Sequence, residues 1–171
     1  MRKVLRIIDS VSYHTGDYLK YFCFALVAIV VYDVILRYVF DAATAWAYDI
    51  AVMLGGTMYI LSWAYTHLRK AHIRVDIIYT NLPPRGRALI DVIGTIVLAL
   101  PLLSVLIAIS FDWMVQAWKT NERWAETYWY PPAGPFRTMV WIAYILFTLQ
   151  FLAGFFRDLY FLLKKRPYDR D

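Results

Sequence analysis

The sequence is poor in the residues that carry most protein chemistry. Its 171 residues include one cysteine, Cys23, and three histidines. A single cysteine excludes an internal disulfide and a cysteine cluster for a metal ion. The sequence also has no glycine-rich phosphate loop and no serine, histidine and aspartate set on a plausible turn. We therefore predict that the chain is not an enzyme, with no catalytic residue, no metal site and no cofactor of its own.

Charged residues are also scarce, and their placement argues against a second class of function. They make up 18% of the chain, with 18 Lys and Arg against 13 Asp and Glu. Nucleic-acid-binding proteins spread basic residues over a solvated face with interleaved aromatics. Here the basic residues stand at the edges of long apolar runs. We therefore predict no nucleic-acid partner.

What the chain has in abundance is hydrophobic sequence. Hydrophobic residues account for 61% of the chain, more than a soluble domain of this length needs. A helix crosses the hydrocarbon core of a bilayer in about 20 residues. Four segments predict such helices, over about 19–40, 43–65, 88–111 and 136–160. We predict an all-α integral membrane protein with four transmembrane helices in a single domain.

The basic residues orient these helices. The amino-terminal segment, the connection between the second and third predicted helices, and the carboxyl-terminal tail hold most of the Lys and Arg. Basic segments face the cytoplasm, so both termini are predicted to be cytoplasmic. Side chains in the central connection are expected to contact anionic phospholipid headgroups or a scaffold partner. They are Arg69, Lys70, Arg85 and Arg87.

Residues 2–18 are amphipathic. Val4, Leu5, Ile8 and Val11 recur at helical spacing, and charged residues occupy the rest of the circumference. This pattern predicts a helix that lies in the cytoplasmic interface of the membrane, before the first crossing. The alternative is a frayed tail.

Three charged residues fall within the first two predicted crossings. Asp33 and Arg37 are four apart, the acidic residue first, which favours an ion pair on one helix face. Asp49 lies near the same end of the second crossing, within reach of Arg37 across a hairpin. A charged side chain inside a bilayer is costly, so its presence there needs a structural or functional explanation. The alternatives are an ion or proton site and a structural contact that joins the two helices or orders a lipid headgroup.

The histidines leave one rival class of protein open. His67 and His72 are five apart in a stretch predicted to be cytoplasmic, and His14 lies in the amphipathic segment. Haem in a membrane anchor needs axial ligands within the crossings. A membrane anchor of a redox enzyme, which would hold haem or quinone, is therefore an alternative, but the predicted crossings lack the histidines that it would need as haem ligands. A small transporter assembled from several copies is a second alternative, but it requires a polar stripe through the bilayer.

Several short motifs resemble one known family. They are Arg-Tyr-Val-Phe at 37–40, Trp46 followed by Asp49, His-Ile-Arg-Val-Asp at 72–76, and Leu-Pro-Pro at 82–84. Together they resemble the small membrane subunit of tripartite ATP-independent periplasmic (TRAP) transporters. The family often has two adjacent acidic residues after the tryptophan, whereas this chain has Tyr48 and Asp49.

The resemblance implies a transport function shared with other subunits. It implies a large membrane subunit that moves an organic acid inward with sodium, and a periplasmic binding protein that delivers the acid. Sodium is then expected on the large subunit, with this chain as a non-catalytic scaffold in the cytoplasmic membrane of a bacterium or archaeon. His72, Arg74 and Asp76 form the cytoplasmic motif that it implies.

The loop before the last crossing is the predicted docking surface. It combines acidic residues with many aromatics, which is typical of partner binding at a membrane interface. We predict that its charged residues dock the binding protein. They are Glu122, Arg123 and Glu126.

Overall fold

The computed structural model describes residues 2–69 and 82–164 of the chain. In these residues the structure is helical, apart from short connections and an isolated bridge between Arg123 and Pro132. The helices are α1 (Arg2–Val39), α2 (Ala45–Leu68), α3 (Pro84–Gly94), α4 (Leu100–Lys119) and α5 (Ala133–Lys164). A π-helical turn, Thr95–Ala99, joins α3 to α4 into one rod. The all-α prediction is confirmed.

Within residues 2–69 and 82–164, three stretches are long and apolar enough to cross a membrane. They are Lys3–Val39 in α1, the whole α3–α4 rod (Pro84–Lys119) and the whole of α5 (Ala133–Lys164). The helix α2 has 24 residues, a sufficient length, but its mean hydropathy is lowered by Asp49, by two glycines and by several aromatic side chains. It is not among the apolar spans, so its predicted crossing stays a prediction.

The first helix corrects the predicted division of the amino-terminal region. We expected an interfacial helix over 2–18 and a separate crossing over 19–40, whereas α1 is continuous from Arg2 to Val39. The reason is a packing seam with spacings of three and four residues, typical of helices that pack along their length. Its buried and half-buried members are Leu5, Ile8, Ser12, Thr15, Leu19, Phe22, Leu26, Ile29, Asp33 and Leu36.

The helices pack in the order α1, α2, α5 and the α3–α4 rod. We call this arrangement the helix layer, and α1 also touches α5. The end that contains Arg2, Leu68, Pro84 and Lys164 is called the terminal end. The opposite end, with the connections at 40–44 and 120–132, is called the loop end.

The π-helical turn lies just before a proline in the α3–α4 rod. Pro101 is the second residue of α4 and supplies no N–H to the carbonyl of Val97, four residues earlier. A π-helical turn accommodates such a missing hydrogen bond within a continuous helix. The rod therefore continues past Pro101.

Candidate functional site

Four polar side chains form a cluster between α1 and α5 at the terminal end. The Ser12 hydroxyl donates to Gln150 Oε1 at 2.8 Å, and Gln150 Nε2 donates to Asp9 Oδ1 at 3.0 Å. The other carboxylate oxygen of Asp9 pairs with Arg157 at 2.5 Å. Ser12 and Gln150 are each 1% exposed, so these bonds form away from solvent. We call these residues the terminal cluster.

The terminal cluster uses most of its own hydrogen-bonding capacity. Both ends of the Gln150 amide and both oxygens of the Asp9 carboxylate are bonded. Within the cluster, only Arg157 Nε is buried without a partner. A buried polar side chain is costly unless it is paired, so the cluster fixes α1 against α5.

Asp33 joins α1 to α2 at the loop end. Its Oδ2 accepts from Arg37 at 2.8 Å, and its Oδ1 accepts from the Thr44 hydroxyl and from the Thr44 backbone N–H. Thr44 is the N-cap residue of α2, so the carboxylate ties the last turns of α1 to the start of the next helix. Arg37 itself is about half exposed.

Asp49 does not meet Arg37 in the structure, although a hairpin suggested that contact. The Asp49 side chain is fully buried and accepts a hydrogen bond from the Thr127 hydroxyl in the loop before α5. Its Oδ1 has no partner. Arg37 pairs with Asp33 instead, because the two residues share one face of α1.

The loop over 120–132 is held by its own hydrogen bonds. Glu122 pairs with Arg137 of α5 at 2.5 Å, and Arg123 donates to the carbonyl of Tyr130. The backbone N–H of Trp124 donates to Pro131. Of the three residues predicted to dock a partner, Glu122 and Arg123 are thus bonded within the chain, and Arg123 and Glu126 are exposed.

The remaining predicted residues are scattered. Arg69 lies 5.4 Å from the ring centroids of both Tyr13 and Tyr65, Arg87 donates to the Leu82 carbonyl, and Arg85 is exposed. Lys70, His72, Arg74 and Asp76 lie outside the described residues.

Of the two described histidines, His14 is exposed and His67 is half-buried between α2 and α5. Its ring stacks on Phe151 of α5 at 4.0 Å between centroids. No group of three or more His, Cys, Asp or Glu side chains suited to a metal ion occurs in residues 2–69 and 82–164.

Most of the chain is similar to a known protein family. The model of the DctQ component of the tripartite ATP-independent periplasmic transporters matches residues 26–160. The chain belongs to this family. Comparison with curated proteins and with solved structures gave no match.

Membership of the DctQ family fixes the general role of the chain. It is the small permease subunit of a TRAP transporter, and its family is one of transporter components, not a catalytic one. The family works with the DctM and DctP components of these transporters. The match gives no support to a redox anchor or to a transporter made from this chain alone.

Proposed function

We propose that this DctQ chain is a static scaffold for the large elevator subunit. The large subunit carries out sodium-coupled uptake of an organic acid, and a periplasmic binding protein delivers the acid. The chain itself binds neither sodium nor the acid. In this arrangement it widens the fixed frame of the transporter and anchors it in the bilayer.

The proposal rests on the hydrogen bonds that the polar side chains between the helices make with one another. The terminal cluster bonds α1 to α5, Asp33 bonds α1 to the start of α2, and Asp49 bonds α2 to the loop at Thr127. A transported ion or solute would need polar groups of this kind for itself. Here they hold the helices to one another, as a rigid frame requires.

Close contacts between helices support the same role. Gly16 lies against the Tyr65 ring, Gly56 against Phe136, and Gly134 against Trp118. Small residues at helix contacts allow backbones to approach closely, and close packing holds membrane helices together. A subunit whose helices are locked in this way suits a part that stays fixed while its neighbour moves.

The orientation follows from the basic residues. We place the terminal end in the cytoplasm, because Arg69, Arg85 and Arg87 lie there and basic segments are retained on that side. These arginines then lie where anionic phospholipid headgroups are found. The loop end is periplasmic, where the exposed Arg123 and Glu126 are available to the binding protein.

The proposal is tested by coexpression of this chain with and without the DctM component, followed by purification in detergent. We expect a colourless complex that contains both membrane subunits. Purified alone, the chain is expected to have no absorbance band of haem. A stable, coloured chain that does not bind the large subunit would contradict the proposal.

A further inference from the structure

Exposed charged side chains mark the two ends of an apolar band on each outer helix of the layer. On α1 the band is bounded by the exposed charges of Lys20 and Arg37, and the exposed side chains between them are uncharged. On the α3–α4 rod the corresponding residues are Arg85 and Asp112. An uncharged band of this kind is what a helix presents to the hydrocarbon core of a bilayer.

Three contacts define one common level across the layer. Leu26 of α1 packs on Gly55 of α2, and Phe136 of α5 packs on the adjacent Gly56. Trp118 of α4 packs on Gly134, two residues before Phe136. Positions on different helices can therefore be compared by counting residues from this level.

The two bands are displaced along the helices. At about 1.5 Å per residue, the middle of the α1 band lies about 4 Å from the common level toward the loop end. Because Gly134 is two residues before Phe136, the common level meets the rod two residues before Trp118. The middle of the band on the rod therefore lies about 26 Å from the level toward the terminal end. Asp17 on α1 and Asp41 in the connection after it, the next exposed charges, give nearly the same middle for the α1 band. The displacement across the layer is therefore about 30 Å.

A flat bilayer meets both bands only if the layer is tilted. Neighbouring helices lie about 8–10 Å apart, so three spacings separate α1 from the rod by up to about 24–30 Å, and by less where α1 touches α5. A displacement of about 30 Å over that separation corresponds to a tilt of about 45–50°. The length of the band on the rod supports a similar value, because the path of about 40 Å between Arg85 and Asp112 crosses a core of about 30 Å at roughly 40°. The band on α1 is about 26 Å long, so Lys20 and Arg37 extend to the headgroups through their long side chains.

An upright layer would be costly. A slab of about 30 Å centred between the bands would contain the exposed charges of Asp17, Lys20 and Asp112, at about 2.5 kcal/mol or more for each one near the centre. It would also leave exposed apolar residues of the rod, such as Leu89 and Ile93, in water.

We propose that the helix layer crosses the membrane with a tilt of about 40–50°. Its lipid-contact surface then runs diagonally, from Lys20 and Arg37 on α1 to Arg85 and Asp112 on the rod. Trp113 and Trp118 lie beyond Asp112, in the interface that favours tryptophan. The inference concerns placement in the bilayer and does not depend on the scaffold role.

The test measures depth at three exposed positions by nitroxide labelling. In a Cys23→Ser background, Ala28→Cys, Leu98→Cys and Phe111→Cys are labelled one at a time in the full chain, reconstituted with DctM in nanodiscs. Power saturation with oxygen and with a nickel chelate reports the depth of each label. Lys3→Cys, exposed near the start of α1 and far outside the apolar band, is the water-exposed control.

The tilted and upright layers predict opposite patterns. A tilted layer places labels at 28 and 98 at the same depth near the centre, and the label at 111 at the headgroups. An upright layer separates 28 and 98 by about 30 Å and keeps 28 and 111 within about 10 Å, both in the core. The second pattern would overturn the proposal.

Infrared dichroism of the unsubstituted protein in oriented bilayers gives an independent result. We expect a mean helix tilt of about 40–50°, and a value near the usual 20° would overturn the proposal even if a labelled variant failed to fold.

Discussion

A tight contact between α1 and α2 predicts a strong effect of a single methyl group. Gly16 of α1 faces Tyr65 of α2, and a Cβ atom at Gly16 would lie 2.3 Å from Tyr65 Cγ and 2.7 Å from Tyr65 Cβ. Ordinary contact begins near 3.4 Å, so the overlap is about 1 Å. Because the overlap includes Tyr65 Cβ, rotation of the ring alone does not remove it. Gly16→Ala must therefore push α1 and α2 apart.

The expected cost of Gly16→Ala is about 1–3 kcal/mol, the usual range for overpacking a tight contact. The better helix propensity of alanine returns at most about 1 kcal/mol. The matched control is Gly94→Ala, because nothing lies within 4 Å of a Cβ atom at Gly94. We expect this control to unfold at the wild-type temperature or slightly above it.

The assay is thermal unfolding of the purified full chain in detergent. For a chain of this size a loss of 1 kcal/mol lowers the midpoint by about 2–4 °C, so Gly16→Ala is expected to lower it by several degrees. Adding Tyr65→Ala removes the overlapping ring and should make Gly16→Ala less harmful than it is alone. Equal midpoints for Gly16→Ala and Gly94→Ala would refute the reasoning.

Three further predictions concern the polar contacts. Asp9→Asn leaves Arg157 without its ion-pair partner and should lower the free energy of unfolding by about 1–3 kcal/mol. A variant as stable as the wild type would show that the terminal cluster does not hold α1 in place. Thr127→Val removes the one hydrogen bond of buried Asp49 and should cost a similar amount, about 1–3 kcal/mol, measured as a lower unfolding midpoint. Glu126→Gln should leave stability unchanged and weaken binding-protein docking in a pull-down, and unchanged docking would remove Glu126 from the proposed surface.

Local sequence patterns predicted the helices because hydropathy is a local property. The apolar runs of α1, the α3–α4 rod and α5 are visible as such. The rod and α5 extend about three to eight residues past the predicted bounds at each end, whereas α1 begins much earlier, at Arg2, and ends at Val39. The pairing of Asp33 with Arg37 was also suggested by spacing alone, since residues four apart share a helix face.

Contacts between distant residues had no comparable signal. Ser12 and Gln150 are 138 positions apart, and Asp49 and Thr127 are 78 apart. Their polarity within apolar surroundings marked some of them as unusual, but partner choice depends on how the helices pack. Asp49 could be assigned to Arg37 as readily as to Thr127.

The continuous packing of α1 was hidden for a different reason. Its seam has a regular spacing of three and four residues, but in the membrane-spanning half the other faces are apolar as well. Hydropathy alone therefore does not separate the packed face from the exposed face there. In residues 2–18 the charged faces made an interfacial helix the natural interpretation.

The central claim is that the chain supports transport by another subunit. It is tested most directly by uptake into proteoliposomes that contain the DctM component and receive the DctP component with its bound acid, with and without this chain. The account predicts sodium-dependent uptake only when this chain is present, and no flux from liposomes that contain this chain alone. Flux through the chain alone, or equal uptake without it, would contradict the account.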